Sequence, residues 1–412
     1  MKKIMFLLGG LVLLSCSNND EPTIKTRQDV PLTKAEEQVV DGNNAFAFKL
    51  FNMVVQNDQA NPNVFLSPFS AEVALAMLDN GAGGVSRSEI QAALGYASTD
   101  DMNTCFQKIL AAMKDIDTEV TFETANSIWI KNNFPVLQPF IDTNKSYYGA
   151  EVQNADFSDP QTLSNINQWC SQQTAGKIPS ILDNINPDDV IYLINALYFK
   201  GDWTSKFDQA KTTTKAFHNE DGTSSQVDMM AQTHDFAYGE NEQAQFVELP
   251  YGNGAFSMVV ILPKEGQSLS SVEGTLDAEQ WGEMQNAMSN GEVNVQFPRF
   301  QMEYERTLND DLDALGLHSI FSPETADFSN LSAKARSETS DINNQVYVSM
   351  VKQKTYIKVD ENGTEAAAAT VVGGTGATAA PPKTFYVDRP FLYLIKEKST
   401  GTIFFIGAVR QL

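Results

Sequence analysis

The chain has 412 residues, and its 52 acidic residues outnumber 29 lysines and arginines, which gives a formal net charge of −23. So large an acidic excess argues against nucleic acid and anionic glycans as partners, because both are polyanions. With 42% hydrophobic residues, the chain is long enough to bury the core of one large domain.

The first fifteen residues have the pattern of a bacterial secretory signal. Two lysines precede an apolar run, and Ser15-Cys16 completes a lipobox, so this segment is expected to be removed and not to span a membrane. Cleavage before Cys16 would free a thiol for lipid attachment. We expect residues 16–40 to be a lipid anchor and flexible tether at the outer membrane of a Gram-negative bacterium, on its periplasmic or cell-surface face. A soluble secreted protein is the alternative. Loss of the two lysines takes the net charge from −23 to −25.

From residue 41 to residue 412 the predicted helices and strands alternate without a repeat or a break in composition before the loop near the end, which indicates one domain. Residues 64–66 predict a short strand, and Ser67-Pro68 predicts the start of a helix. Asp100–Ile116 is predicted as a helix with no basic face. Cys105 and Cys170 lie in predicted helices among apolar neighbours. They could pair in an exported protein, but we expect both to be buried and free.

The strand predictions place distant parts of the chain in common sheets. Val190–Phe199 is almost wholly apolar, which predicts a strand buried on both faces near the centre of a large sheet. Asn253-Gly254 separates two apolar runs and predicts a hairpin. Further strands are predicted on both sides of Pro298-Arg299, and Gln345–Val359 predicts a long extended segment. The pattern indicates the α+β class.

Asp360–Pro382 is unusual because it is rich in small residues and carries no charge after Glu365. Such a segment has neither helical periodicity nor enough bulk for a core, so it predicts an exposed, mobile loop. The thirty residues that follow, 383–412, predict two apolar strands joined by a Ser-Thr-Gly turn, and thirty residues cannot form a core alone. These strands must pair within the preceding domain, so the segment is a loop and not a linker.

Several separated motifs resemble the serpin family. The loop begins with ENGTEAAAA, which is similar to the proximal hinge of inhibitory serpins, and the chain ends with DRPFLYLI and FFIGAV. INALYFKGDW, NVFLSPFSAEVALAMLDNGA and FVELPYGNGAFSMVVILP resemble core segments of that family. The resemblance implies a serpin fold, in which several helices surround three β-sheets and a mobile reactive-centre loop spans about residues 361–382.

The resemblance also implies how this loop functions. A serine protease would cleave it and form an acyl-enzyme, and the freed strand would enter a sheet. Counting along the family pattern from Gly363 places the cut at Ala377-Thr378, whereas counting back from Pro390 places it near Ala379. These small residues suit elastase-like or subtilisin-like proteases. The hinge residues are Glu361, Gly363, Thr364, Glu365, Ala366, Ala367, Ala368 and Ala369.

Alternate hinge residues are expected to enter the core when the strand inserts. This inward set comprises Thr364, Ala366, Ala368 and Thr370, whose side chains are all small and uncharged. We expect Thr364 to lie in solvent before cleavage. Large or charged side chains at these positions would stall insertion.

Residues that support insertion are also implied by the family pattern. Ser67, Ser70 and Asn195 would form a shutter below the opening of the sheet, whereas Trp203, Arg299 and Glu361 would form a breach where the loop enters. Gln353 would belong to the shutter at a position where many serpins have histidine, and its amide could bridge neighbours without titrating. Each residue also has an ordinary structural role: Ser67 caps a helix well, Trp203 suits a core and Arg299 suits a surface.

Catalytic motifs are not evident in the sequence. The histidines are His218, His234 and His318, and neither a Gly-x-Ser-x-Gly nor a His-Glu-x-x-His motif occurs. We therefore expect no enzyme activity, no cofactor and no metal. The expected partner is a target serine protease, bound covalently by a monomeric inhibitor that does not bind heparin. The alternative is a non-inhibitory surface lipoprotein with the serpin fold.

Overall fold

The structure is a computed structural model that describes residues 26–58, 60–335, 346–364 and 381–412. Predictions for the signal segment, for Cys16, for Glu365–Ala369 and for the cleavage sites at Ala377, Thr378 and Ala379 lie outside these residues. Within the described ranges, no helix is both long enough and apolar enough to cross a bilayer.

Nine α-helices form within the described residues. They are α1 Lys34–Asn57, α2 Pro68–Asp79, α3 Gly84–Leu94, α4 Thr99–Met113, α5 Gln138–Tyr148, α6 Pro160–Gln173, α7 Leu269–Glu273, α8 Ala278–Ala287 and α9 Asn309–Ala314.

The described strands are β1 Val64–Leu66, β2 Val120–Lys131, β3 Glu151–Ala155, β4 Ile191–Asp202, β5 Thr213–His218, β6 Ser224–Glu240, β7 Ala244–Pro250, β8 Phe256–Pro263, β9 Ser289–Pro298, β10 Phe300–Thr307, β11 Lys352–Val359, β12 Gly363–Thr364, β13 Lys383–Tyr386, β14 Phe391–Glu397 and β15 Ile403–Val409.

These strands form three sheets among the described residues. A nine-stranded sheet has the order β1-β15-β14-β8-β7-β6-β9-β13, with β5 paired to β6. A four-stranded sheet has the order β12-β4-β2-β3, and β10 pairs with β11 alone. The predicted α+β class, with helices around three sheets, is confirmed. The hairpin at Asn253-Gly254 joins β7 to β8, and the last two strands pair antiparallel.

Local sequence explains where the first helices begin. Thr33 and Glu36 form a capping box, in which each side chain accepts a hydrogen bond from the other residue's backbone N–H, and α1 therefore begins at Lys34. Residues 34–40, which were expected to belong to the tether, form the start of this helix. Ser67 caps α2 by accepting a hydrogen bond from Ser70 N, and Pro68 occupies the first turn.

The core joins α2 to the sheets through aromatic side chains. The rings of Phe69 and Phe404 are 4.8 Å apart, and those of Phe122 and Phe404 are 4.6 Å apart, in edge-to-face arrangements. Cys105 and Cys170 are both buried and free, and they lie in two different hydrophobic clusters.

Strand β4 differs from its prediction. It is central, but in a four-stranded sheet, and buried residues alternate with half-buried ones along much of its length. Three half-buried residues on one face, Ile191, Leu193 and Asn195, line a cavity beside α2. The expectation of a strand buried on both faces was therefore wrong, because an apolar run does not show whether other elements pack closely against both of its faces.

Candidate functional site

Two strand edges, one on β4 and one on β11, border a gap and have no strand partner over most of their length among the described residues. β2 covers one edge of β4 from Ile191 to Gly201, and β10 covers one edge of β11 from Lys352 to Val359. On its other edge, β4 pairs among the described residues only with β12, at Gly201 and Asp202. Unpaired backbone N–H and C=O groups on such edges can accept another strand.

The start of the loop already occupies the upper end of this gap. A tight turn follows β11, with an antiparallel bridge between Asp360 and Gly363, and β12 then pairs antiparallel with β4. Because β12 runs opposite to both neighbours, β4 and β11 run in the same direction. One added strand could therefore pair antiparallel with both edges.

Gly363 is required at this turn for two reasons. Its φ of +148° lies in a region that L-residues with side chains rarely adopt. In addition, a Cβ at this position would lie 2.0 Å from the carbonyl oxygen of Gly201 and 2.6 Å from Asp202 Cα. Only glycine lets the loop approach β4 this closely.

Thr364 is buried before cleavage, contrary to the expectation that it lies in solvent. Its exposed fraction is 4%, and its hydroxyl is 3.0 Å from the hydroxyl of Tyr251. The Tyr251 ring stacks on Trp203 with centroids 4.4 Å apart and an interplanar angle of 11°. The turn at Gly363 causes this placement, because it directs the chain back into the sheet as soon as β11 ends.

Trp203 holds the turn itself. Its indole Nε1 donates to the carbonyl of Asp360 over 3.0 Å, and its backbone N–H donates to Asn362 O over 2.7 Å. Trp203 is therefore both a core aromatic and a contact of the loop, as the breach prediction requires.

Glu361 and Arg299 form a bidentate ion pair beside this turn. Arg299 Nε and an Nη atom donate to the two Glu361 oxygens over 2.6 and 2.5 Å, and Thr212 Oγ1 donates to the same carboxylate. Glu361 has an exposed fraction of 1%. Burial by itself raises the pKa of the Glu361 carboxyl, but the hydrogen bonds from Arg299 and Thr212 outweigh it and hold that pKa below the ordinary value of 4.5.

The predicted shutter residues come together at the lower end of the gap. Gln353 makes two hydrogen bonds to the backbone of Ser67: its Oε1 accepts from Ser67 N over 2.9 Å, and its Nε2 donates to Ser67 O over 2.7 Å. Ser70 lies one turn further along α2 and lines the same cavity as Gln353. The amide of Gln353 therefore bridges β11 to α2 through groups that do not titrate.

Asn195 reaches this region from β4. Its Nδ2 donates to Asn126 Oδ1 over 2.6 Å, whereas its own Oδ1 is buried and has no partner among the described residues. The neighbouring cavity has a volume of about 70 Å³. Its lining includes consecutive residues of β4, among them Tyr192, Leu193, Ile194 and Asn195.

Sequence reasoning did not identify three residues of this site, Tyr251, Thr212 and Asn126. Tyr251 lies inside a motif that carries the family resemblance, but nothing in the motif indicates its contact with Thr364. Thr212 and Asn126 have no local signal, because their partners are 149 and 69 residues away along the chain. Among the described residues, no group of three or more His, Cys, Asp or Glu side chains is placed to hold a metal ion.

Comparison with known proteins identifies a family for the whole domain. A family model described as "Serpin (serine protease inhibitor)" matches residues 41–412. An uncharacterized serpin-like protein of Thermococcus kodakarensis is 36% identical, over 93% of this chain and 88% of that protein. The leukocyte elastase inhibitor of Homo sapiens is 34% identical, over 90% of this chain and 98% of that protein.

Solved structures agree with the sequence matches. Tengpin, a thermophilic serpin in its native state, superposes with a TM-score of 0.82 at 32% identity, over 94% of this chain and 97% of that chain. Human thyroxine-binding globulin, in complex with thyroxine, superposes with a TM-score of 0.81 at 28% identity, over 92% of this chain and 99% of that chain.

The burial of Thr364 predicts an effect of substitution on the uncleaved protein. Thr364→Arg would place an unpaired guanidinium beside Tyr251, which costs several kcal/mol even after relaxation. Thr364→Val keeps the shape and loses only the hydrogen bond to Tyr251, so its cost is about 1–3 kcal/mol. We expect the Tm of intact protein to fall slightly for Thr364→Val and much further for Thr364→Arg in calorimetry. Equal Tm values for Thr364→Arg and the unaltered protein would show that Thr364 is exposed.

The pKa of Glu361 predicts how the stability of the breach varies with pH. Because the folded-state pKa is lowered, the stabilising contribution of Glu361 is present above pH 4.5 and is lost as the pH falls through the folded-state value. Glu361→Gln should therefore have a lower Tm than the unaltered protein at pH 7, and this difference should shrink toward pH 3. Other carboxylates titrate in both proteins and cancel in the comparison. A difference that is constant with pH would contradict the ionised pair.

Proposed function

The chain belongs to the serpin family, and from this premise we propose that it inhibits serine proteases as a suicide substrate. A target protease cleaves the reactive-centre loop and becomes acylated at the new carboxyl terminus. The freed strand then enters the gap between β4 and β11, and the attached protease is carried along the sheet before the acyl bond can be hydrolysed. The chain is not itself an enzyme in this proposal.

The pairing of Gly363 and Thr364 with β4 is the observation that supports this proposal most directly. These two residues lie at the upper end of the gap, in the direction that an inserted strand must take. Further insertion extends an existing antiparallel ladder and does not need a new nucleus. Below them, the facing edges of β4 and β11 have no strand partner within the part of the chain that the structure describes.

The energy of insertion is large enough to distort a protease. Fourteen residues, from Thr364 to Ala377, extend roughly 46 Å at about 3.3 Å per residue. With some ten new backbone hydrogen bonds at about 0.5–1.5 kcal/mol each, the gain is on the order of 10 kcal/mol. This value is comparable with the whole stability of a typical domain.

Small residues around the cut define the proposed targets. Ala377, Thr378 and Ala379 suit the shallow specificity pockets of elastase-like or subtilisin-like serine proteases, whereas trypsin-like enzymes require a basic residue. The similarity to the human leukocyte elastase inhibitor supports an elastase as the test protease. We place the cut at Ala377-Thr378 in the first instance.

The proposed location follows from the amino-terminal sequence. Lipid on Cys16 would hold a monomeric inhibitor at the outer membrane, where it could protect surface or periplasmic proteins from foreign proteases. This role does not involve binding to nucleic acid or heparin, both of which are polyanions that the acidic domain would repel.

Mixing the protein with an elastase tests the proposed function. We expect a complex that survives denaturing electrophoresis, about one inhibitor consumed per protease, and release of a carboxyl-terminal peptide that begins at Thr378, identified by its mass. A peptide that begins at Ala380 would move the cut and keep the mechanism. Cleavage without any covalent complex would contradict inhibition and favour the binding-only alternative.

A matched pair of loop variants tests whether trapping requires insertion. If the loop inserts and the alternation continues from Thr364, residue 368 would face the core of the sheet and residue 369 would face away from it. Ala368→Arg should stall insertion because of its buried charge, so many inhibitor molecules should be cleaved for each elastase inactivated. Ala369→Arg should stay near one per elastase. Equal stoichiometries for the two variants would show that trapping does not depend on this face of the strand.

Lipid attachment at Cys16 predicts the fractionation of the protein. The unaltered chain expressed in a Gram-negative host should be recovered with outer membranes and should incorporate labelled palmitate, whereas Cys16→Ala should do neither. Recovery of the unaltered chain as a soluble protein with a free thiol at residue 16 would refute the anchor.

A further inference from the structure

The buried carboxylates of this domain have polar partners, with one exception. Among the described residues, ten aspartate and glutamate side chains are buried, and nine of them accept hydrogen bonds. Glu248, for example, accepts from Ser257 Oγ over 2.7 Å, and Asp311 receives two bonds from Arg306. The exception is Glu72 of α2, whose Oε1 is buried and has no hydrogen-bond partner in the part of the chain that the structure describes.

Glu72 lies on a face of α2 that is otherwise apolar. Its exposed fraction is 1%, and Phe69 and Ala76, one turn before it and one turn after it on the same face, are buried as well. The Phe69 ring packs against the ring of Phe106 of α4, with centroids 5.6 Å apart. A carboxyl group therefore occupies a position in this helix interface where its neighbours are hydrocarbon.

The charged groups on the surrounding elements do not compensate Glu72. The elements packed against α2 are α1, α3, α4, α5, β4 and β15. Glu36 of α1 and Lys108 of α4 bind each other over 2.5 Å, and Arg87 of α3 approaches Asp79 at the end of α2. β15 carries no charged residue. Burial is the one effect on the pKa of Glu72, which it raises well above 4.5, so no charge on α5 or β4 acts on this carboxyl either.

Cys105 of α4 is a titratable neighbour of Glu72 and gives it no positive charge. Burial, together with the carboxylates of Glu36 and Glu72, raises the pKa of the Cys105 thiol to about 12. The thiol therefore stays neutral at any pH near neutrality, and its Sγ is directed to the carbonyl of Glu36 at 3.6 Å.

A carboxyl group in such a place is held as the neutral acid. An unpaired ionised carboxylate is very costly to bury, so the group takes up a proton instead. In the unfolded chain Glu72 has its ordinary pKa of 4.5. Between this pH and the higher pKa of the folded state, the folded protein holds one proton more than the unfolded chain. Its stability therefore falls as the pH rises, by about tenfold in the unfolding equilibrium constant for each pH unit.

We propose that Glu72 is a proton-linked stability switch: it is carried as a neutral acid between α2 and α4, and the loss of its proton forces α2 to shift. Acidic surroundings then stabilise the folded domain, and alkaline surroundings loosen it. The helix that responds is the one that carries Ser67 and Ser70 beside the gap between β4 and β11. The inference needs neither cleavage of the loop nor a target protease, so it stands apart from the proposed function.

The test compares the Tm of intact proteins from about pH 5 to about pH 8. Glu72→Gln keeps the shape of the side chain but cannot ionise, so its Tm relative to the unaltered protein should rise by roughly 1–2 °C for each pH unit. Glu248→Gln is the matched control. Burial raises the pKa of Glu248, but Lys396, Ser257 and Lys398 outweigh it and lower that pKa below 4.5. Both states of Glu248 are thus ionised above pH 5, and its variant should differ from the unaltered protein by a constant amount.

A second substitution keeps the test decisive if Glu72→Gln does not fold. Glu72→Met replaces the carboxyl by an unbranched apolar side chain that suits both a helix and an apolar interface. Because neither variant titrates at residue 72, both should show the same change with pH relative to the unaltered protein. Glu72→Met should also be the more stable of the two, since it leaves no polar group unsatisfied.

Infrared spectroscopy detects the proton itself. At pH 7 the unaltered protein should show the carbonyl absorption of a neutral carboxylic acid that Glu72→Met lacks, and the other carboxyl groups cancel in the difference spectrum. A Tm difference for Glu72→Met that stays constant from pH 5 to pH 8 would overturn the proposal, and so would a difference spectrum without this band. Neither result would alter the covalent complex expected with an elastase, by which the proposed function is judged.

Discussion

The unpaired edges of β4 and β11 are the constraint on which the rest of the site depends. Backbone N–H and C=O groups along both edges lack strand partners below Gly201 among the described residues, and the two strands run in the same direction. A single antiparallel strand could pair with both edges at once. The loop that follows β11 could supply this strand, and its residues Gly363 and Thr364 already pair with β4. The cavity beside α2 lies in the lower part of the gap, where the described side chains leave space unfilled.

The two ends of the gap are built from different chemistry. At the upper end, the polar groups that surround the turn are satisfied: Glu361 by Arg299 and Thr212, and the carbonyl of Asp360 by Trp203. At the lower end, Gln353 is paired with Ser67, but Asn195 Oδ1 has no hydrogen-bond partner among the described residues. The hydrogen bonds at the upper end therefore hold the turn in place, whereas the acceptor of Asn195 at the lower end could still receive a hydrogen bond. Because residue 353 is glutamine, its bridge to Ser67 does not titrate, whereas the carboxylate of Glu361 at the other end does.

Two expectations failed because they treated local sequence without its neighbours. Thr364 was expected in solvent, since a loop of small residues predicts exposure; the turn at Gly363 instead buries it against Tyr251. β4 was expected to be buried on both faces, since its sequence is apolar, but three residues on one face of its first half are only half-buried, beside the cavity. In both cases the residue types were suitable for the observed position. What the local sequence did not show was whether another part of the chain packs against that position.

The sequence by itself determined the α+β class, the hairpin at Asn253-Gly254, the final pair of strands and the family, because periodicity, turn residues and short motifs act over a few residues. It also indicated that Ser67, Trp203, Arg299, Glu361 and Gln353 belong to the site. Only the tertiary structure decided the register of β12 on β4, the burial of Thr364 and the orientation of the Asn195 amide. These features depend on residues far apart in the chain, such as Thr364 and Tyr251, which are 113 residues apart. Hydrogen-bond direction is a property of the assembled network, and no local pattern encodes it.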